Sequence, residues 1–121
     1  MAVVLIGCSK DDNGGDTSAS LIGTWKLTAE KMNGTALELD VCDLRSTVMF
    51  TATTFKTMEY EGDNCATVTE IDGTYTLNGT TLKITSINGV ETLEVSKLTA
   101  TIFETTETDE GDVYVTTFTR Q

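Results

Sequence analysis

A chain of 121 residues suits one domain with a modest core. Its 8 basic and 19 acidic side chains leave a formal net charge of -11, which argues against nucleic acid and against electrostatic docking on anionic lipid, and reads most simply as solubility. It has no His, the commonest general base and metal ligand, and no Pro.

The N-terminus begins with a short apolar stretch, Ala2 to Ile6, ended by Gly7 and Cys8. A secretory signal has a basic n-region, about 7–15 apolar residues and small residues at the cut. Residues 1–8 are expected to be the tail of such a signal. An ordinary first strand is the competing reading, and the polar segment that follows argues against it. Leu5-Ile6-Gly7-Cys8 resembles the lipobox of bacterial lipoproteins. That resemblance implies lipidation of Cys8, with diacylglycerol on its sulfur and a further acyl chain on its amino group. Each buried CH₂ contributes ~0.8 kcal/mol, and stable anchoring takes more than one chain. The implied partner is a membrane, the bacterial outer membrane, reached through lipid. Residues 9–20, SKDDNGGDTSAS, hold one aliphatic residue, Ala19, and read as a flexible acidic tether. Lys10-Asp11-Asp12 resembles the surface-export signal of Bacteroidota-type lipoproteins, and reads equally well as an ordinary acidic linker.

From Leu21 onward helical spacing gives way to period-two alternation rich in Thr. The pattern predicts strands over 22–31, 45–52, 54–61, 66–77, 80–87, 90–97, 99–107 and 112–120. Asn33-Gly34, Glu61 to Asn64, Asn78-Gly79, Asn88-Gly89 and Asp109 to Asp112 mark the turns, and Asn-Gly favours tight antiparallel connections. The segment 35–43 reads as a short helix or a loop lid. Strand, tight turn and strand in repetition predict an all-β meander closing into an eight-stranded antiparallel up-and-down barrel over residues 21–121. Trp25 and Leu27 share one face, as do Val48 and Phe50, Tyr75 and Leu77, Leu82 and Ile84, Leu93 and Val95, and Tyr114, Thr116, Phe118 and Arg120. With Phe55, these apolar residues form the predicted inward set.

Leu21-Ile22-Gly23-Thr24-Trp25-Lys26-Leu27 resembles the opening of the lipocalin fold, with its Gly-x-Trp on the first strand. Together with the Gly73 to Leu82 hairpin and the closing Thr117 to Arg120, it is similar to the lipocalin-like domains of Bacteroidota surface lipoproteins. The resemblance implies a basic residue of the last strand packed over the first-strand Trp, which places Arg120 on Trp25 at the barrel's closure. It also implies a small apolar ligand.

Cys42 and Cys65 remain once Cys8 is lipidated. They precede strands that a meander starts at the same end of the barrel, so a Cys42–Cys65 disulfide is expected. No CxxC or His accompanies them, so neither a zinc nor a redox site is expected. Glu59 and Glu61 read as a solvated turn rather than a catalytic pair, and the Asp109 to Asp112 turn as solvated rather than calcium-binding. No enzyme activity, cofactor or metal is expected. The expected function is binding, by a monomer, of a small hydrophobic ligand or an envelope protein or glycan, with no nucleic acid. Candidate ligand contacts are Trp25, Phe50, Tyr75, Tyr114 and Phe118. The alternative is a barrel filled by its own side chains and working through its surface and loops. The short strands predict little spare interior, with a small pocket opening near Trp25, Tyr75 or Tyr114.

Overall fold

A computed structural model describes residues 20–121. The lipobox, Cys8 and most of the 9–20 segment lie outside the described residues. The strands are β1 (Gly23–Met32), β2 (Thr35–Ala36), β3 (Thr47–Phe50), β4 (Thr54–Glu61), β5 (Thr67–Asn78), β6 (Thr81–Ser86), β7 (Gly89–Leu98), β8 (Ile102–Asp109) and β9 (Asp112–Arg120). Every pairing is antiparallel between neighbours, and β1 pairs with β9 from Trp25↔Arg120 to Met32↔Tyr114. Eight strands therefore close a barrel, while the two-residue β2 folds back on the end of β1. Closure satisfies the backbone groups that an open sheet would leave along β1 and β9.

Turn chemistry fixes these hairpins. Asn33 and Gly34 both take positive φ (53° and 85°), as do Glu110 and Gly111 (51° and 88°), which is the geometry of a type I′ turn. The Asn33 side chain then bridges the two turns: its amide donates to Asp112 Oδ1 at 3.0 Å, and its oxygen accepts the Val113 N–H at 2.9 Å. Asp112 is thus engaged in a hairpin clasp. The segment read as a short helix or a loop lid is mainly a loop. Leu37 N–H donates to the Glu30 carbonyl, the chain then leaves the sheet, and one 3₁₀ turn at Asp43–Arg45 leads into β3. β3 is shorter than the expected 45–52 because Thr51 ends it, its hydroxyl accepting the N–H groups of Thr53 and Thr54.

The core occupies one end of the barrel. Leu21, Trp25, Phe50, Phe55, Leu82, Val95, Leu98 and Phe103 are buried there. Phe103 stacks on Phe118 at 5.3 Å and meets Phe50 edge-on at 5.8 Å, while Trp25 lies 5.5 Å from Phe103. Such pairs add ~0.5–1.5 kcal/mol each to the area they bury. Both chain ends of the barrel meet at this closed end. The Arg120 guanidinium sits 4.2 Å above the Trp25 ring and donates to the carbonyls of Ser20, Ile22 and Ala100 at 2.6, 2.8 and 2.7 Å. Gly23, at φ 139°, is what lets the guanidinium pass, since a Cβ there would strike Arg120 Nη1.

Candidate functional site

The opposite end is open. Toward it the inward positions change from aromatic to small and polar: Thr57 and Glu59 on β4, Glu91 on β7, Thr105 and Glu107 on β8, Thr116 on β9. Side chains of that size do not meet across a barrel this wide, and a cavity of about 510 Å³ remains. Its floor is the upper side of the aromatic core, the buried Phe50, Leu82 and Phe103 with the half-buried Phe118. Its wall carries Leu27, Val48, Ile84 and Leu93, and its mouth Glu30, Asp43, Glu59, Glu61, Glu91 and Glu107. No Lys or Arg lines it.

Two backbone irregularities and a staple shape the mouth. A bulge between Leu27 and Ala29 shifts the face of β1, so Glu30 turns inward in place of the residues that strict alternation from Trp25 and Leu27 selects. β3 pairs only with Gly23 to Lys26, so the upper half of β1 has no barrel neighbour on that side except β2. The strap from Leu37 to Ser46 crosses this gap, and its Asp43 reaches the lip. A disulfide joins Cys42 of the strap to Cys65 after β4, with Cα atoms 5.3 Å apart. Arg45 lies 4.9 Å over the ring of Tyr60 at the same lip.

Electrostatics in the cavity is one-sided. Burial, then a hydrogen bond and the charge of Glu91, then the charge of Asp109, push the Glu107 pKa from 4.5 up to about 7. Glu107 therefore keeps its proton up to near neutrality, hydrogen-bonded to Glu91. Thr105, between Phe103 and Glu107 on the inward face of β8, is only 6% exposed, and its hydroxyl has no hydrogen-bond partner among the described residues.

The placement of the candidate contacts corrects the expected pocket. Phe50 and Phe118 form part of the cavity. Trp25 is fully buried at the closed end, its indole N–H donating to the Leu21 carbonyl at 2.9 Å, and takes no part. Tyr75 also points to that end, where its hydroxyl donates to the Thr51 carbonyl at 2.6 Å and burial raises its pKa. Tyr114 faces Glu107 across the β8–β9 ladder but does not line the cavity. The barrel is filled at one end only, and the cavity opens away from Trp25 and Tyr75. Glu59 and Glu61 belong to β4 and line the mouth, rather than forming a free turn. No three His, Cys, Asp or Glu side chains converge as metal ligands among the described residues.

A barrel of eight neighbour-paired strands, closed by its first and last and hollow at one mouth, is the lipocalin architecture. Residues 21–105 match the family model described as a lipocalin-like domain. The chain belongs to the lipocalin-like family. The family is known for non-catalytic ligand binding rather than for catalysis. Among solved structures, the lipocalin-like domain superposes on a lipocalin-like protein from Bacteroides uniformis with a TM-score of 0.65, at 19% identity, over 84% of this chain and 98% of that one. It also superposes on an uncharacterised protein from Bacteroides eggerthii with a TM-score of 0.63, at 17% identity, over 84% of this chain and 100% of that one. At such identities the likeness is one of fold. No curated protein matches the lipocalin-like chain.

Proposed function

We propose that this protein is a non-enzymatic binding module that takes a small, largely apolar molecule into the open half of its barrel, and that lipid on Cys8 tethers it to the bacterial outer membrane. The observation that carries the reading is the cavity of about 510 Å³ on an aromatic floor. That volume lies in the ~300–1,000 Å³ range of small-molecule sites, and the mix of apolar wall with a few polar groups is what such sites use for affinity and orientation. Phe50 and Phe118 supply apolar contact, and Thr105 and Thr116 supply hydroxyls. For the tether, no helix among the described residues is long and apolar enough to cross a membrane, and the lipobox resemblance at Leu5 to Cys8 offers another means of attachment. The Bacteroides origin of the structural neighbours is in keeping with a lipoprotein of that kind of envelope.

The test is titration with a neutral, environment-sensitive apolar dye. Saturable binding of one dye per chain is expected, and Leu93→Trp, which fills the cavity from its wall, should abolish it. Wild-type protein that gives no saturable signal overturns the reading. A second reading has its own support: Val41 and Ile87, 71% and 94% exposed, stand on loops at the open end, where an envelope protein or glycan would meet them. Val41→Ser with Ile87→Ser should then weaken capture of that partner without changing dye binding.

A further inference from the structure

We propose that the cavity selects a cationic amphiphile, a molecule with one ammonium or amidinium group on an apolar body of roughly eight to twelve carbons. The inference rests on the binding function proposed above and deepens it. Three observations carry it. The cavity is two-zoned, with Phe50, Leu82, Phe103 and Phe118 below and six carboxylates from β1, the strap, β4, β7 and β8 around the mouth. No Lys or Arg lines it to neutralise them; Arg45 instead lies over the Tyr60 ring. Between the zones stands Thr105, 94% hidden from solvent and with its hydroxyl unpartnered among the described residues, where the polar head of a guest would meet it. A buried hydroxyl left unpaired costs ~1–3 kcal/mol, so a guest that donates to Thr105 is favoured over water-excluding hydrocarbon alone.

Charge then sets the class of guest. An anion such as a fatty acid would enter against Glu91 and Glu107, and a neutral lipid would draw nothing from their charge. A single ammonium satisfies both. A metal ion does not fit as well, because among the described residues no three carboxylates converge closely enough to share one. The charges that face Glu107 are Glu91 on β7, Asp109 on its own strand, Asp112 on β9 beside its ladder partner Tyr114, and Glu30, Asp43, Glu59 and Glu61 across the mouth, with Arg45 of the strap drawn over the Tyr60 ring at the lip. The proton that Glu107 holds near neutrality must leave when a cation arrives, so binding is coupled to proton release and strengthens as pH rises through about 7.

The experiment is calorimetric titration of the purified full chain with octylamine, octan-1-ol and octanoate, at pH about 6 and about 8. Close charge pairs couple strongly enough that octylammonium should bind at least ~10-fold tighter than octanol at the higher pH, with octanoate undetected. Its affinity should fall at the lower pH, and the heat should depend on buffer ionisation as proton release requires. Glu91→Gln with Glu107→Gln should bring amine and alcohol within ~3-fold of each other while leaving alcohol binding intact. Glu110→Gln, on the exposed β8–β9 turn, should change nothing. Equal affinity of amine and alcohol for wild type, survival of the amine preference in the double variant, or displacement of the amine by calcium alone would each overturn selection of a cationic amphiphile by this pair. Alcohol binding without amine preference leaves the apolar-ligand function standing and removes only this inference. If neither alcohol nor amine binds, both fall.

Discussion

Arg120 is the side chain whose loss should be felt most at the closed end. It joins the last residue of β9 to both the start of β1 and the β7–β8 turn, through three charge-assisted hydrogen bonds and a cation–π contact with Trp25. Buried, each such bond would be worth ~1.5–3 kcal/mol net. These lie at an exposed rim, where water replaces the guanidinium in the mutant, so about 0.5–1 kcal/mol each is the appropriate scale. The cation–π contact adds about 1 kcal/mol. Arg120→Ala should therefore destabilise by about 3 kcal/mol. A domain of this length unfolds with an entropy near 0.2 kcal/mol per kelvin, so Tm should fall by roughly 14 °C. Arg120→Lys keeps the charge but reaches fewer carbonyls, and should recover about a third of the loss. The assay is thermal unfolding followed by circular dichroism, with the emission of Trp25, the sole Trp, as a local probe. Trp25 is fully buried, so its emission should move to longer wavelength when the guanidinium lid is removed. A drop in Tm of less than about 3 °C with unchanged emission would refute the view that Arg120 ties the barrel's two ends together.

The disulfide encloses a separation of 23 residues, so Cys42→Ser with Cys65→Ser should cost about 3 kcal/mol by loop closure; denaturant unfolding checks it, and an unchanged midpoint would mean the strap is held without it. Glu107 gives a pH signature. Its folded pKa, about 7, lies above the ordinary 4.5, so the folded state keeps a proton that the unfolded state has lost. That contribution to stability is full below about 4.5, declines as pH rises to about 7 and is gone above it. The urea midpoint should fall across this window in wild type and less so in Glu107→Gln, and identical profiles would refute the assignment. For the tether, fatty-acid labelling of cells making the precursor should mark the wild type and not Cys8→Ala, and equal labelling of both would remove the lipid anchor.

Local chemistry was enough for the sheet. Period-two alternation and the Asn-Gly turns specify antiparallel neighbours, because each depends only on residues a few positions apart, and the strands fall within a few residues of where the alternation puts them. Phe50 and Phe118 are inward by the same rule. The largest departure is at 99–107, where β8 starts only at Ile102 because Thr99 and Thr101 close the β7–β8 turn. The cavity mouth was not legible in this way. Glu107 and Glu91 stand in strands whose acidic residues look solvated in one dimension; the β7–β8 pairing brings them together, and barrel closure puts them over a shared space. Glu30 faces inward because a bulge after Leu27 resets the alternation, and the similar shift after Val95 puts Leu98 into the core. A bulge is chosen by the fit between β1 and β9, or β7 and β8, so no single strand announces it. Whether the interior is filled was likewise a matter of where the large side chains gather. The composition of the inward set suggests a packed barrel, but Trp25, Phe50, Phe55, Phe103 and Phe118 all lie toward one end, and the volume they vacate at the other is a property of the closed cylinder alone.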